Sequence, residues 1–113
     1  MTLEQLHYLT AKWSQDRGIT TNGKSSTQAL KLVSEVGELA DNIIKGNCTK
    51  DDIGDCLVVL TNLSILEGHS LIECWEHAYN DIKNRKGYLT KSGNFVKDTD
   101  PNYKEIIKND QNK

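Results

Sequence analysis

Proline is nearly absent: the single one in 113 residues is Pro101, so nothing before it breaks a helix by that route. Sustained alternation of apolar and polar residues is also missing, which excludes a set of half-buried strands and leaves helical periodicity as the dominant signal. The chain reads as all-α. The three cysteines, Cys48, Cys56 and Cys74, are odd in number and widely spaced, with no Cys-x-x-Cys pair. That pattern excludes a disulfide framework and a zinc ribbon. No sign of charge dominates, because 27% charged residues leave a formal net charge of only -2. A field strong enough to hold a nucleic acid backbone or an anionic membrane surface is therefore not expected. The apolar runs fall short of a bilayer span, and Met1-Thr2-Leu3-Glu4-Gln5 lacks the basic-then-apolar order of a leader. A cytoplasmic protein without a membrane partner is the expectation, and the length suits one domain.

What is present is a series of amphipathic helices. The first is expected over Thr2 to Asp16, with Leu3, Leu6, Leu9 and Trp13 as its buried edge and Arg17-Gly18 closing it. The second runs from about Ser25 to Lys45, stopped by Gly46-Asn47. On it Ala29, Val33, Val36, Ala40 and Ile43 or Ile44 trace one apolar stripe. The opposite side carries Lys31, Glu35, Glu38, Asn42 and Lys45, which taken alone is a solvated face. Thr49 with Asp52 three residues on resembles a capping box opening a third helix to about Glu67. Beyond its first turn this helix is apolar almost all round, so it is expected at the centre of its bundle. A fourth helix follows from Ser70 to about Lys86, with Leu71, Trp75, Ala78 and Ile82 facing inward. After Gly87, the segments Tyr88-Leu89-Thr90 and Phe95-Val96 around Gly93 suit a short hairpin. Residues 1–96 are thus expected as one helical domain and 97–113 as a polar, flexible tail.

Two short acidic signatures, Glu35-Val-Gly-Glu38 and Asp52-Ile-Gly-Asp55, stand on neighbouring helices. A separation of three places the acids of a pair roughly 60° apart around a helix, so both can reach the same space. Burying carboxylates together is costly unless a cation compensates, and no arginine cluster matches these four. A hard, oxygen-seeking cation is implied: Mg²⁺, with Mn²⁺ as a substitute. No histidine belongs to the set, so a Glu-x-x-His di-iron site is not supplied. The competing reading is a solvated helix face for Glu35 and Glu38 and N-terminal capping for Asp52. For Asp55, past the first turn of an apolar helix, that competing reading is weakest.

The stretch Lys31-Leu-Val-Ser-Glu35-Val-Gly-Glu38-Leu, followed by Asp52-Ile-Gly-Asp55-Cys-Leu-Val-Val-Leu-Thr-Asn62-Leu, resembles the all-α nucleoside triphosphate pyrophosphohydrolases of the MazG-like type. A third segment, Ala78-Tyr-Asn80-Asp-Ile-Lys83-Asn-Arg85-Lys-Gly87, adds to the match, which covers about residues 25 to 96. The resemblance implies a four-helix bundle with a short C-terminal hairpin or tail. It also implies cleavage of a nucleoside or deoxynucleoside triphosphate to the monophosphate and pyrophosphate, and assembly as a homodimer or homotetramer. It carries Glu35, Glu38 and Asp55 over as Mg²⁺ ligands. Asp52 departs from the Glu usual at its position. Glu38, ahead of Glu35, is expected to accept the proton of the attacking water. Lys83 and Asn80 match substrate-contacting positions, and Lys31 and Arg85 are weaker candidates for the same role. Trp13 is either core or a platform for a nucleobase, and Asn62 either reaches the metal shell or bonds between helices. The alternative function is a catalytically silent helical module that binds a nucleotide or a protein.

Overall fold

A computed structural model describes residues 1–113. It contains six helices and one two-stranded sheet: α1 (Leu3–Asp16), α2 (Ile19–Asn22), α3 (Ser25–Lys45), α4 (Lys50–Leu66), α5 (Leu71–Ile82), β1 (Gly87–Leu89), β2 (Phe95–Lys97) and α6 (Tyr103–Gln111). The chain forms two compact units, Met1–Glu76 and His77–Lys113, with α5 running across the boundary. No single helix is long and apolar enough to cross a membrane.

In the first unit α1 opens on a capping box. The Thr2 hydroxyl accepts from the Gln5 N–H and the Gln5 carboxamide accepts from the Thr2 N–H, at 3.1 and 2.8 Å. Gly18, at φ 76°, turns the chain into the single-turn α2, which lies between the two helices expected from the sequence. Helix α3 has the expected bounds, and it ends where Gly46 adopts φ 73° and the Gly46 and Asn47 N–H groups donate back to Ile43 and Asn42.

The face that α3 turns to α4 is not the expected one. Gln28, Leu32, Glu35, Leu39 and Asn42 are half-buried, whereas Val33 and Ile44 of the expected stripe are 70% and 84% exposed. The reason lies on α4, whose most buried residues besides Val59 are polar: Asp52, Thr61, Asn62 and Ser64. Polar groups removed from water need partners. Asn42 donates to Asp52 at 3.0 Å, and Asn62 donates to Gln28 at 3.2 Å while accepting from the Ser14 hydroxyl of α1. Hydrogen-bond complementarity, with Leu32 and Leu39 between, selects the rotation of α3.

Helix α4 is central, as its composition suggests. Its expected capping box does not form: Thr49, at φ -109° and ψ 5°, lies outside the extended conformation from which a side chain caps, and makes no such bond. Asp52 is turned to Asn42 instead. On α1, Leu3, Leu6, Leu9 and Trp13 are about half exposed and the fully buried residue is Ser14. Helix α5 stops at Ile82, short of Lys86, and Trp75 and Ile82 are exposed.

In the second unit the expected hairpin forms, with Tyr88 opposite Val96 and Gly93 at φ 90° in its turn. Residues 97–113, expected as a flexible tail, instead carry α6. Asp110 of α6 is 3% exposed and accepts from the Tyr88 hydroxyl at 2.8 Å and from the Lys91 N–H. A single carboxylate thus ties the helix to the hairpin, a long-range bond invisible in local composition.

Candidate metal centre

Glu35 enters the α3–α4 interface because it falls on the half-buried row of α3, between Leu32 and Leu39. Its Oε2 is sealed from solvent and has no hydrogen-bond partner. The carboxyl is pushed above the ordinary range, first by burial and then by the charges of Glu38 and Asp55. The closeness of the Glu38 carboxyl adds to this, and the charge of Lys31 opposes it. Glu35 therefore feels one carboxylate on its own helix and one on α4. Glu38, one turn on, is exposed, and Asp55 is half-buried.

Asp52 is the most buried of the four acids, and its partner is protein. Asn42 donates to its Oδ2, while the Asn42 Oδ1 accepts from Asn47 at 3.0 Å, which fixes the orientation of the amide. No three His, Cys, Asp or Glu side chains stand together as a ready ligand cage. The donor chemistry nevertheless fits a hard cation: carboxylate oxygens only, one of them orphaned and held against like charges.

Cys56 belongs to this neighbourhood and was not singled out from the sequence. Its thiol is pushed up by burial and by the charges of Glu35, Asp55 and Asp52. Its position four residues after Asp52 on the same helix face was the available signal.

The other candidates from the sequence fall in both units. Lys31 is exposed, and its charge acts on Glu35. The Trp13 ring carries the Arg17 guanidinium 4.2 Å from its centroid, so one face of that platform is already taken. Asn62 bonds between helices. Asn80, Lys83 and Arg85 lie in the second unit, where Lys83 donates to Asn80 at 3.3 Å and Arg85 pairs with Asp81 at 3.2 Å.

Within the first unit a cavity of about 370 Å³ opens between α1, α4 and the start of α5. Asp55 lines it, and so does His7, whose Nε2 is buried without a partner. His7 also escaped the sequence reading. It follows Leu3 by four residues and Leu6 by one on α1, so a polar ring beside the apolar edge was the clue.

Among known proteins, the chain is similar to an uncharacterized 18.2 kDa protein in the rep-hol intergenic region of Haemophilus phage HP1 (strain HP1c1). The two are 36% identical over 64 residues, a stretch covering 55% of this chain and 39% of that protein. The match thus spans well under two thirds of the relative's length. No family model matches the chain, and no solved structure matches it significantly.

Proposed function

We propose that the protein is a Mg²⁺-dependent nucleoside triphosphate pyrophosphohydrolase of the MazG-like type, built on a helical bundle and releasing a nucleoside monophosphate and pyrophosphate. The observation that carries this reading is Glu35: a carboxylate whose Oε2 is buried and unpartnered and whose proton affinity is raised by burial and by Glu38 and Asp55. Such a group is stabilised by a cation among the three acids. Mn²⁺ is the expected substitute.

Glu35, Glu38 and Asp55 hold the cation in this reading. Asp52, engaged by Asn42, props the interface from behind and is not a direct ligand. Bound there, Mg²⁺ supplies neutralisation of charge on the phosphate oxygens. Glu38, or Glu35 beside it, accepts the proton of the water that attacks the α phosphorus. The exposed Lys31 offers its ammonium to phosphate. The assignment of Lys83, Asn80, Arg85 and Trp13 to substrate rests on the family resemblance alone.

The working unit is proposed to be a homodimer or homotetramer. Leu30, Val33, Gly37, Ala40 and Ile44 follow the alternating three-and-four spacing of a helix-packing seam on the outer side of α3, and Leu30, Val33 and Ile44 are 73%, 70% and 84% exposed. Gly37, where an added Cβ meets nothing within 4 Å, sits at the centre of that seam and permits close approach of a second helix.

Pyrophosphate release from a panel of ribo- and deoxyribonucleoside triphosphates tests the reading. Release should require Mg²⁺ or Mn²⁺, and Glu38→Gln should lower it at least about a hundredfold with the helical circular dichroism unchanged. Absence of release across the panel with either metal overturns the proposal.

A further inference from the structure

The hairpin of the second unit has two unlike faces, because successive side chains of a strand alternate. Tyr88 and Val96 are half-buried, and Tyr88 reaches Asp110 of α6. The opposite face pairs Leu89 with Phe95 and Gly87 with Lys97. Leu89 and Phe95 stay 64% and 53% exposed there. The Phe95 ring lies across Gly87, where an added Cβ would collide with it. A ring already held in place loses little side-chain freedom when it docks. Lys97 beside it makes no ion pair. The face is an aromatic knob with one free cation.

The first unit carries a groove of matching character. The cavity of about 370 Å³ between α1, α4 and the start of α5 has largely apolar walls, from Leu3, Leu6, Leu57, Val58, Ile72 and Trp75. Its two threonines need no outside acceptor, since Thr10 donates to the Leu6 carbonyl at 2.9 Å and Thr61 to the Leu57 carbonyl at 2.8 Å. Asp51 and Asp55 also line it, and no Lys or Arg does. Asp51 is exposed and makes no ion pair. The units differ in charge in the same sense. Residues Met1–Glu76 hold eleven acidic and six basic side chains, whereas His77–Lys113 hold five acidic and eight basic ones. The surface of one unit therefore attracts that of the other across copies. We propose that the Phe95 face of one copy docks in this groove of a second copy, with Phe95 and Leu89 against the apolar walls and Lys97 beside Asp51. Docking withdraws from water apolar surface that both units leave bare. Two apolar side chains bury far less than the roughly 1,200–2,000 Å² of a stable interface. The contact therefore rests on the oligomer proposed above, and it joins copies already held along α3.

Cross-linking between copies tests this without metal or nucleotide, and so apart from the hydrolase reading. With the exposed Cys48 and Cys74 replaced by serine, Asp51→Cys and Lys97→Cys are made in separate full-length proteins, which are mixed and treated with a mild oxidant. A disulfide between position 51 of one copy and position 97 of another, identified by peptide mass, is the expected product. Gly54 lines the groove, and an added Cβ there meets nothing within 4 Å. Gly54→Leu in the first protein should therefore fill the groove, and Phe95→Ser in the second should remove the knob. Each should slow the cross-link at least about tenfold with the helical spectrum retained. An unchanged rate in both variants overturns the inference, as does a 51–97 disulfide found only within single chains of a doubly substituted protein. An oligomer that gives no 51–97 link defeats the docking contact alone. A wild-type protein monomeric in sedimentation defeats the oligomer reading and the docking contact with it.

Discussion

At the scale of the residue, Asp110 and Tyr88 show how one hydrogen bond couples ionisation to structure. The bond to Tyr88 holds the Asp110 carboxyl below its ordinary range, assisted by the Lys91 N–H, and the same bond pushes the Tyr88 phenol up. Asp110, with its folded pKa depressed, contributes stability that is present above its unfolded pKa and lost as pH falls through the folded value. Tyr88, with its folded pKa raised, contributes stability that is present below its unfolded pKa and lost as pH rises through the folded value. The hairpin–α6 junction should therefore hold through the neutral range and loosen at both extremes. Hydrogen exchange at the Lys91 amide, which donates to Asp110, reports this. Loss of protection at one extreme only would contradict it. In Tyr88→Phe, the Asp110 carboxyl should titrate closer to its ordinary range in an NMR experiment.

Cysteine reactivity gives a second test at this scale. Cys48 and Cys74 are exposed, whereas Cys56 lies among acids that raise its thiol. The thiolate is the reactive form. At mildly alkaline pH a thiol reagent should modify Cys48 and Cys74 first and Cys56 slowly. Divalent cation bound at the acids should then speed Cys56 by offsetting the negative charge. Equal rates at all three cysteines in the metal-free protein would show that the acid cluster does not surround Cys56.

At the scale of the element, α3 and α4 decide what the molecule can do. Asn62 joins three helices through Ser14 and Gln28. Asn62→Leu would leave the buried Ser14 hydroxyl without its partner, worth on the order of 1–3 kcal/mol, and the half-buried Gln28 carboxamide as well, and should lower the unfolding midpoint in urea more than truncation of an exposed apolar residue does. On the other side of α3, Val33→Asp should dissociate the proposed oligomer while the monomer stays helical, as read by sedimentation. A protein monomeric before and after the change would remove that seam from the account.

The same two helices mark where the sequence was readable and where it was not. The ends of α3 were legible because Gly46 stops a helix by a local mechanism. Its rotation was not, because apolar residues spread over more than one face and the choice among them is made by Asp52 and Asn62 on another helix. The half-burial of Glu35 follows from that rotation, so the acid that carries the site was read from spacing while its environment was not. The hairpin announced itself through Gly93. Helix α6 did not, since its anchor is a bond across 22 residues, from Tyr88 to Asp110.

At the scale of the molecule, Val59 is the one apolar side chain counted as buried, and large apolar residues of α1, α3 and α5 remain exposed. Burial of apolar area is the main driving force of folding, so the first unit is expected to gain much of its stability by association. Its melting temperature should rise with protein concentration. The central claim concerns the three acids, Glu35, Glu38 and Asp55. Phosphorus NMR of a deoxynucleoside triphosphate incubated with the protein and Mg²⁺ tests it most directly. The account predicts conversion to monophosphate and pyrophosphate signals, abolished by chelation of the metal and by Glu38→Gln. A triphosphate spectrum that stays unchanged, or that yields diphosphate and orthophosphate instead, would contradict it.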